Sequence, residues 1–254
     1  MRRFLLLFLS LVLLGASYAV NRFVINLHYI VPVEPGKLAY VAAFDGNQED
    51  WSLSEGQLRS RILETGVLQL EVLEPNRLPF AQSKPYFADF DLRVQASPVG
   101  GPLDNGYGII FRLQNKDNSV LSDDDFYLFQ ISSDGYYRVL RAFQGEQKEL
   151  STWIPSPLIL QGNNVVNQLR VIGQGTSFKF FINNQPVQLC IPDDPSARST
   201  YTRAGVCEGG SMQDILVDAS IPNGQLALAA QSFNEAGVVI EFDNLVIYGP
   251  TTQE

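Results

Sequence analysis

Short runs of alternating apolar and polar residues, separated by turn residues, dominate the chain from residue 39 onward. The runs cover residues 68–72, 89–95, 107–114, 126–132, 136–143, 168–172, 177–182, 226–231 and 238–248. Period-two alternation is typical of β-strands that bury one face. No amphipathic helix of useful length follows residue 38. The pattern predicts an all-β domain that folds as an antiparallel β-sandwich.

The stretch 104–137 carries the strongest strand signals. Asn105-Gly106 predicts a turn, and Ser133-Asp134-Gly135 predicts a hairpin between the runs 126–132 and 136–143. Asn183-Asn184 predicts a further turn, since asparagine tolerates positive φ. No catalytic group stands in an obvious place in this stretch, which favours binding over catalysis.

The N-terminus has the features of an export signal. Arg2 and Arg3 precede the apolar run Phe4–Gly15, and Ser17 and Ala19 provide small residues for cleavage after Ala19. The alternative is an uncleaved signal anchor. Apolar residues continue at helical spacing from Val20 to Val31, where Pro32 ends the pattern.

We favour the anchor over cleavage, because a free mature N-terminus would expose an apolar stripe. This interpretation predicts one helix over about residues 4–31 that contacts membrane lipid in a single pass. The arginine pair would lie inside and the domain outside. The predicted organisation is a signal or anchor segment over 1–31, a linker over 32–38, the sandwich over 39–249 and a tail over 250–254.

The net charge and the cysteine content indicate which partners and which cellular compartment suit this chain. The net charge of −9 argues against nucleic acid, because an acidic chain repels phosphate backbones. The two cysteines are Cys190 and Cys207. In an exported protein such a pair predicts a disulfide, worth about 3 kcal/mol in the chain-entropy model.

Four segments resemble the concanavalin A-like lectin/glucanase superfamily: NGYGIIFR (105–112), FYLFQISSDGYYRV (126–139), NQLRVIGQGTSFKFFINNQPV (167–187) and GQLALAAQSFNEAGVVIEFDNLVIY (224–248). Together with the opening AFDGNQEDWSLSEGQL (43–58), they are most similar to bacterial extracytoplasmic laminin-G-like and DUF1080-like (3-keto-disaccharide hydrolase-like) jelly-roll domains. The resemblance implies two face-to-face sheets, one of them concave. It says little about function, because the superfamily includes lectins, glycosidases and interaction modules.

Carbohydrate binding needs aromatic faces and planar hydrogen-bonding side chains in a shallow groove. The candidates for a concave face are Arg112, Tyr127, Gln130 and Tyr137, with Tyr107 and Trp153 near its rim. Arg112 is the best single candidate, because a charge among apolar neighbours needs an internal acid or a ligand. Strand parity allows Tyr127 and Gln130 to share a groove only if a bulge intervenes. The alternative is that the aromatic residues belong to the core.

Two other chemistries have weaker support. A glycosidase needs two carboxylates across the scissile bond, and the nearest motif, Glu241-Phe242-Asp243, lacks the third acid of the laminarinase-like pattern. The one histidine, His28, lies outside the domain, which argues against a Ser-His-Asp triad. Asp123, Asp124 and Asp125 offer oxygen ligands for a structural Ca²⁺, although they match no established loop spacing.

The sequence therefore predicts a non-catalytic, extracytoplasmic binding domain with one disulfide and no cofactor beyond a structural Ca²⁺. Two roles remain open: recognition of envelope glycan, and docking to a membrane-protein partner as an accessory subunit. The family resemblance favours the first role, while the predicted anchor and the disulfide-closed insertion 191–218 favour the second. A glycosidase is the less favoured third alternative.

Overall fold

The alternating runs form the strands of a two-sheet sandwich in the computed structural model, which describes residues 10, 12–17, 30–45, 49–53, 58–115 and 123–251. The strands are β1 Leu38–Ala42, β2 Trp51–Ser52, β3 Leu58–Ile62, β4 Leu68–Val72, β5 Phe80–Phe87, β6 Phe90–Gly100, β7 Asn105–Gln114, β8 Asp125–Ile131, β9 Tyr136–Phe143, β10 Glu146–Pro155, β11 Asn167–Gln174, β12 Ser177–Ile182, β13 Gln185–Pro186, β14 Leu189–Pro192, β15 Thr200–Tyr201, β16 Cys207–Glu208, β17 Gly210–Gln213, β18 Leu216–Val217, β19 Gly224–Ser232 and β20 Val238–Tyr248. The all-β sandwich is confirmed.

Two large antiparallel sheets contain most of these strands. Within the described residues, one sheet has seven strands in the order β10-β9-β8-β7-β19-β5-β2. The other has nine, in the order β13-β12-β11-β6-β20-β4-β3, with β1 beside β20 and β18 beside β12. The pairs β14–β17 and β15–β16 form two small hairpin-like sheets within the insertion.

Aromatic side chains fill the space between the two large sheets. Phe111 on β7 stacks on Tyr127 of β8, with ring centroids 5.2 Å apart. Phe178 and Phe180 reach Phe111 from β12 of the opposite sheet, at 5.2 and 6.2 Å. Such ring contacts add about 0.5–1.5 kcal/mol per pair beyond simple burial, so this aromatic group ties the centres of the two sheets together.

Strand and turn predictions agree with the structure in most places. Asn183 and Asn184 adopt positive φ, as does Gly135 in the predicted Ser133–Gly135 hairpin. The predicted turn at Asn105-Gly106 is wrong, because these residues begin β7. Asn105 is wholly buried and holds internal hydrogen bonds, which keep it in the strand.

The structure of the N-terminal segment differs from the predicted long helix. Residues 1–30 are assigned to a unit of their own, in which residue 10 and residues 12–17 are helical. Among the described residues, no helix has the length and apolar composition that crossing a membrane requires. This finding contradicts the predicted long helix and single-pass anchor, although residues 1–9, 11 and 18–29 lie outside the described part of the chain.

The predicted disulfide is confirmed and closes part of the insertion. Cys190 and Cys207 are bonded, with their Cα atoms 5.5 Å apart. Cys190 lies on β14 in the hydrophobic core, and its backbone N–H donates to Ser151 Oγ of β10 at 3.1 Å. The insertion is therefore fastened to the edge strand of the seven-stranded sheet by both packing and a hydrogen bond.

Removal of this crosslink gives a stability prediction. Because the bond closes a separation of 17 residues, the double variant Cys190→Ala/Cys207→Ala should lose about 3 kcal/mol of unfolding free energy. Denaturant titration measures this loss. The reduced wild-type protein is the control and should fall by a similar amount, whereas equal stability of all three forms would contradict the structural role of the bond.

Candidate functional site

The seven-stranded sheet buries much of its outer face, the face turned away from the nine-stranded sheet. Register places Ile110, Leu128 and Leu140 beside one another on β7, β8 and β9. These residues belong to a second apolar cluster that is separate from the main core. The outer face is therefore apolar along one part of its length, and polar groups there need partners among themselves.

A row of polar side chains crosses the same face next to the apolar cluster. Arg138 donates from Nε to Gln130 Oε1 at 2.8 Å, from Nη1 to Glu149 Oε1 at 2.9 Å and from Nη2 to Gln231 Oε1 at 3.1 Å. Gln130 Nε2 donates to Gln231 Oε1 at 2.8 Å. Burial lowers the pKa of Arg138 while Glu149 opposes that shift, and the guanidinium stays charged at neutral pH.

Arg138 also positions an aromatic ring. Its guanidinium carbon lies 4.5 Å from the centroid of the Trp153 ring. Trp153 is on β10, within an irregularity between Ser151 and Ile154 that shifts the register of the pairing with β9. A β-bulge turns a side chain away from its regular direction, and here it coincides with the tryptophan that covers the polar row.

A pocket of about 240 Å³ lies at the end of this face, where β7 and β9 begin and β8 and β19 end. Trp153 forms part of its wall and meets Phe233 edge-on, with ring centroids 6.2 Å apart. Tyr136 is 40% exposed. The described residues that line the pocket are Asp104, Asn105, Ser132, Asp134, Tyr136, Trp153 and Phe233.

Internal hydrogen bonds hold the two loops that flank the pocket. Asn105 Nδ2 donates to Ser133 Oγ at 2.9 Å, and the Ser133 backbone N–H donates to Asn105 Oδ1 at 3.1 Å. The Ser132 hydroxyl donates to Asp134 and accepts from the Tyr136 backbone N–H at 3.1 Å. The pocket is therefore ordered before any ligand arrives, which reduces the entropy lost on binding.

Three of the predicted ligand-binding residues point into the core instead. Tyr107 and Tyr127 are wholly buried and Tyr137 is nearly so. The Tyr127 hydroxyl donates to Asp218 at 2.7 Å, and the Tyr137 hydroxyl donates to the Gln188 carbonyl at 2.5 Å. Burial raises the pKa of each of these tyrosines. Each phenol is engaged inside the protein, so we leave the three out of the candidate site.

Arg112 was the strongest single candidate, and the structure places it inside the fold. It is 1% exposed with φ of 54°. Its guanidinium donates to the backbone carbonyls of Ala88 and Ile221, each at 2.8 Å, and of Gly175. It also stacks over Phe178 at 4.6 Å, and burial lowers its pKa. The expected partner of Arg112 was an internal acid or a ligand. Backbone carbonyls from three loops take that place instead.

Gln130 and Trp153 are the two predicted residues on the outer face. Gln130 is wholly buried in the polar row, whereas Trp153 reaches the pocket. The parity prediction is correct, since Tyr127 lies in the main core while Leu128, two residues before Gln130 and therefore on its face of the strand, lies in the outer cluster.

The acidic candidates do not assemble into a site in the described residues. Asp124 and Asp125 are buried, and Asp125 accepts the Gln144 backbone N–H at 2.7 Å. In the described ranges, no group of three or more His, Cys, Asp or Glu side chains is arranged to hold a metal. Calcium at Asp123–Asp125 stays a prediction. Glu241 and Asp243 lie on β20 of the nine-stranded sheet, where Glu241 accepts from Gln69 at 2.8 Å.

Sequence reasoning missed Asp104, Asp134, Tyr136 and Phe233 as pocket residues. One signal was available for Tyr136. Its neighbour Tyr137 pairs with Ile131 across the hairpin, and Ile131 shares a face with buried residues of β8. Adjacent residues of a strand face opposite sides, so the exposed tyrosine had to be Tyr136. Phe233 carries no comparable local signal.

Comparisons with known proteins show the fold. No family model matches the chain, and no curated protein matches it in sequence. A Bacillus subtilis protein of unknown function with a galectin-like fold is 12% identical, with a TM-score of 0.57, covering 86% of this chain and 98% of its own. A Bacillus licheniformis β-glucanase is 10% identical, with a TM-score of 0.54, covering 84% and 99%.

A third structure is a carbohydrate-binding module, CBM66 of Bacillus subtilis. It is 14% identical, with a TM-score of 0.52, covering 79% of this chain and 96% of its own. At such identities the likeness shows the fold alone, a jelly-roll sandwich. Membership of the concanavalin A-like superfamily and of its DUF1080-like subgroup stays a prediction. Because a binding module and a glucanase share the architecture, function has to be argued from the pocket.

The hydrogen bonds of Arg138 in the polar row give a prediction about the free energy of unfolding. Arg138→Met keeps an apolar stem against the indole but removes the guanidinium donor from Glu149 and Gln130, and it leaves Gln231 with only the Gln130 amide as donor. We expect the free energy of unfolding to fall by about 1–3 kcal/mol. The matched control is Arg59→Met, which breaks the exposed Arg59–Glu71 pair and should change stability by less than about 0.5 kcal/mol. Equal effects of both variants in denaturant titration would contradict the structural importance of the row.

Proposed function

We propose that this protein is an exported, non-catalytic glycan-binding domain that holds one sugar unit in the pocket formed by Tyr136, Trp153 and Phe233. The observation that carries the proposal is the joint presence of these three aromatic side chains and two carboxylates around one ordered pocket. The disulfide supports export, because such bonds persist mainly in oxidising compartments.

The chemistry of the pocket suits a sugar. A pyranose ring presents axial C–H groups that pack on aromatic faces, and hydroxyls that donate to acceptors around its edge. Asp104 and Asp134 supply carboxylate acceptors, and hydrogen bonds to charged acceptors contribute about 1.5–3 kcal/mol each. The volume of about 240 Å³ is below the roughly 300–1,000 Å³ of pockets for drug-sized ligands, which supports a single sugar residue as the unit bound.

A glycosidase is the second candidate, because two aspartates line the pocket and a glucanase shares the fold. Hydrolysis requires one carboxyl group to act as a general acid, a role that enzymes assign to a group in apolar surroundings. Asp104 and Asp134 are both exposed, and Asp134 already accepts a hydrogen bond from Ser132. These features favour binding over bond cleavage.

Aromatic substitutions test the proposal. The probes are four kinds of oligosaccharide: cello-oligosaccharides and those derived from mixed-linkage β-glucan, chitin and chitosan. Their binding is measured by isothermal titration calorimetry. For any probe that binds, Trp153→Ala and Tyr136→Ala should each weaken binding by at least about tenfold, equivalent to about 1.4 kcal/mol. The control is Phe181→Ala on the nine-stranded sheet, where Phe181 stacks with Arg170, and it should leave affinity unchanged.

Two results would contradict the proposal. Absence of binding to every oligosaccharide would exclude glycan recognition by this pocket, as would binding that survives both aromatic substitutions. The same incubations, analysed for shorter products, separate binding from hydrolysis. Products that disappear in Asp104→Asn or Asp134→Asn would establish the glycosidase instead.

A further inference from the structure

The pocket combines aromatic walls with uncompensated negative charge. Asp104 and Asp134 are exposed acids at its edge, and none of the described lining residues is Lys, Arg or His. Arg138 touches the Trp153 ring, but it forms a salt bridge with Glu149 at 2.9 Å. Its charge is therefore balanced within the polar row and does not offset the two aspartates.

Aromatic faces add to the preference for positive charge. The π-system of an aromatic ring presents a negative face, so a cation near Trp, Tyr or Phe within about 6 Å of the ring centroid is attracted. Tyr136, Trp153 and Phe233 surround the space that the two carboxylates border. Proteins recognise quaternary ammonium ligands with aromatic cages of this kind, and nearby carboxylates attract the same positive charge.

From this geometry we infer that the pocket selects a sugar bearing a free ammonium group, a 2-amino-2-deoxyhexose, over neutral and anionic sugars. This inference rests on the proposed glycan-binding function and names the class of sugar. Asp104 and Asp134 are the specificity-determining residues, since each can accept N–H groups from an ammonium while opposing its charge. The aromatic residues provide the affinity that all sugars share.

Anionic sugars are excluded by the same arrangement. A uronate or sulfated sugar would bring a third negative charge beside two carboxylates, and the chain as a whole carries a net charge of −9. Like charges repel more strongly as their separation falls, so an anionic group held beside these carboxylates would be disfavoured. No described cation of the pocket lining offsets this repulsion.

The test compares two oligosaccharides that differ only in the amine. Chitosan oligosaccharides carry free amines, and chitin oligosaccharides carry the same amines acetylated and neutral. At pH 6 and low ionic strength, chitosan oligosaccharides should bind at least about tenfold more tightly by calorimetry. Raising the salt concentration should reduce this preference, because ions screen exposed charges. Oligogalacturonate, an anionic probe, should not bind.

Single substitutions of Asp104 and Asp134 test whether these carboxylates cause the preference for the amino sugar. Asp104→Asn and Asp134→Asn should each lower the ratio of chitosan affinity to chitin affinity several-fold, because asparagine still accepts from sugar hydroxyls but carries no charge to attract the ammonium group. Asp214→Asn is the matched control, since it changes net charge equally but lies on the insertion, hydrogen-bonded to Gln188. It should leave both affinities unchanged. Addition of EDTA should have no effect.

The outcomes distinguish the inference from the function on which it rests. If no oligosaccharide of the whole panel binds, both fail, whereas binding of the cello- or mixed-linkage oligosaccharides alone overturns only the inference. If both bind through Trp153 with equal affinity, or the preference survives both asparagine variants, the inference is overturned while glycan binding stands. Loss of binding in EDTA would also overturn it, because the aspartates would then hold a metal rather than an ammonium group.

Discussion

The central strands β7 and β8 are buried on both faces, and this burial determines where polar side chains can lie on the seven-stranded sheet. Every residue of β8 is buried, as are all but the last residue of β7. The inner face contributes aromatic rings to the main core, and the outer face continues as a second apolar cluster. A polar group placed on such a face must find partners within the protein, because an unsatisfied buried donor or acceptor costs about 1–3 kcal/mol.

The polar row around Arg138 answers that requirement and at the same time builds the pocket. Gln130, Gln231 and Glu149 accept the guanidinium donors, and the plane of the guanidinium is left against the indole of Trp153. Trp153 in turn meets Phe233. The pocket wall is thus an extension of the packing of the sheet, whereas Asp104 and Asp134 come from the loops that flank the pocket.

The sequence predicts the fold better than the site, for identifiable reasons. Alternation within a strand is local, so the sandwich and the bounds of β9, β12 and β20 could be predicted. Strand β5 was missed because Pro85 interrupts its pattern, and β10 was missed because charged residues and irregular pairing conceal its alternation. Arg112 was predicted to lie on a concave binding face, whereas it is buried. Its partners are backbone carbonyls of three separate loops, which no side-chain pattern reveals.

The two tryptophans allow a direct test of whether a glycan occupies the Trp153 pocket. Trp51 is 5% exposed, donates from Nε1 to the Tyr40 hydroxyl at 3.1 Å and is not among the residues that line the pocket, whereas Trp153 is. The chain has two tryptophans, so a ¹⁵N-labelled sample should give two indole N–H signals. On titration with chitosan or chitin oligosaccharides, we expect the Trp153 signal to shift and saturate while the Trp51 signal stays in place. A Trp153 signal that remains fixed while an oligosaccharide binds would show that the glycan does not occupy this pocket.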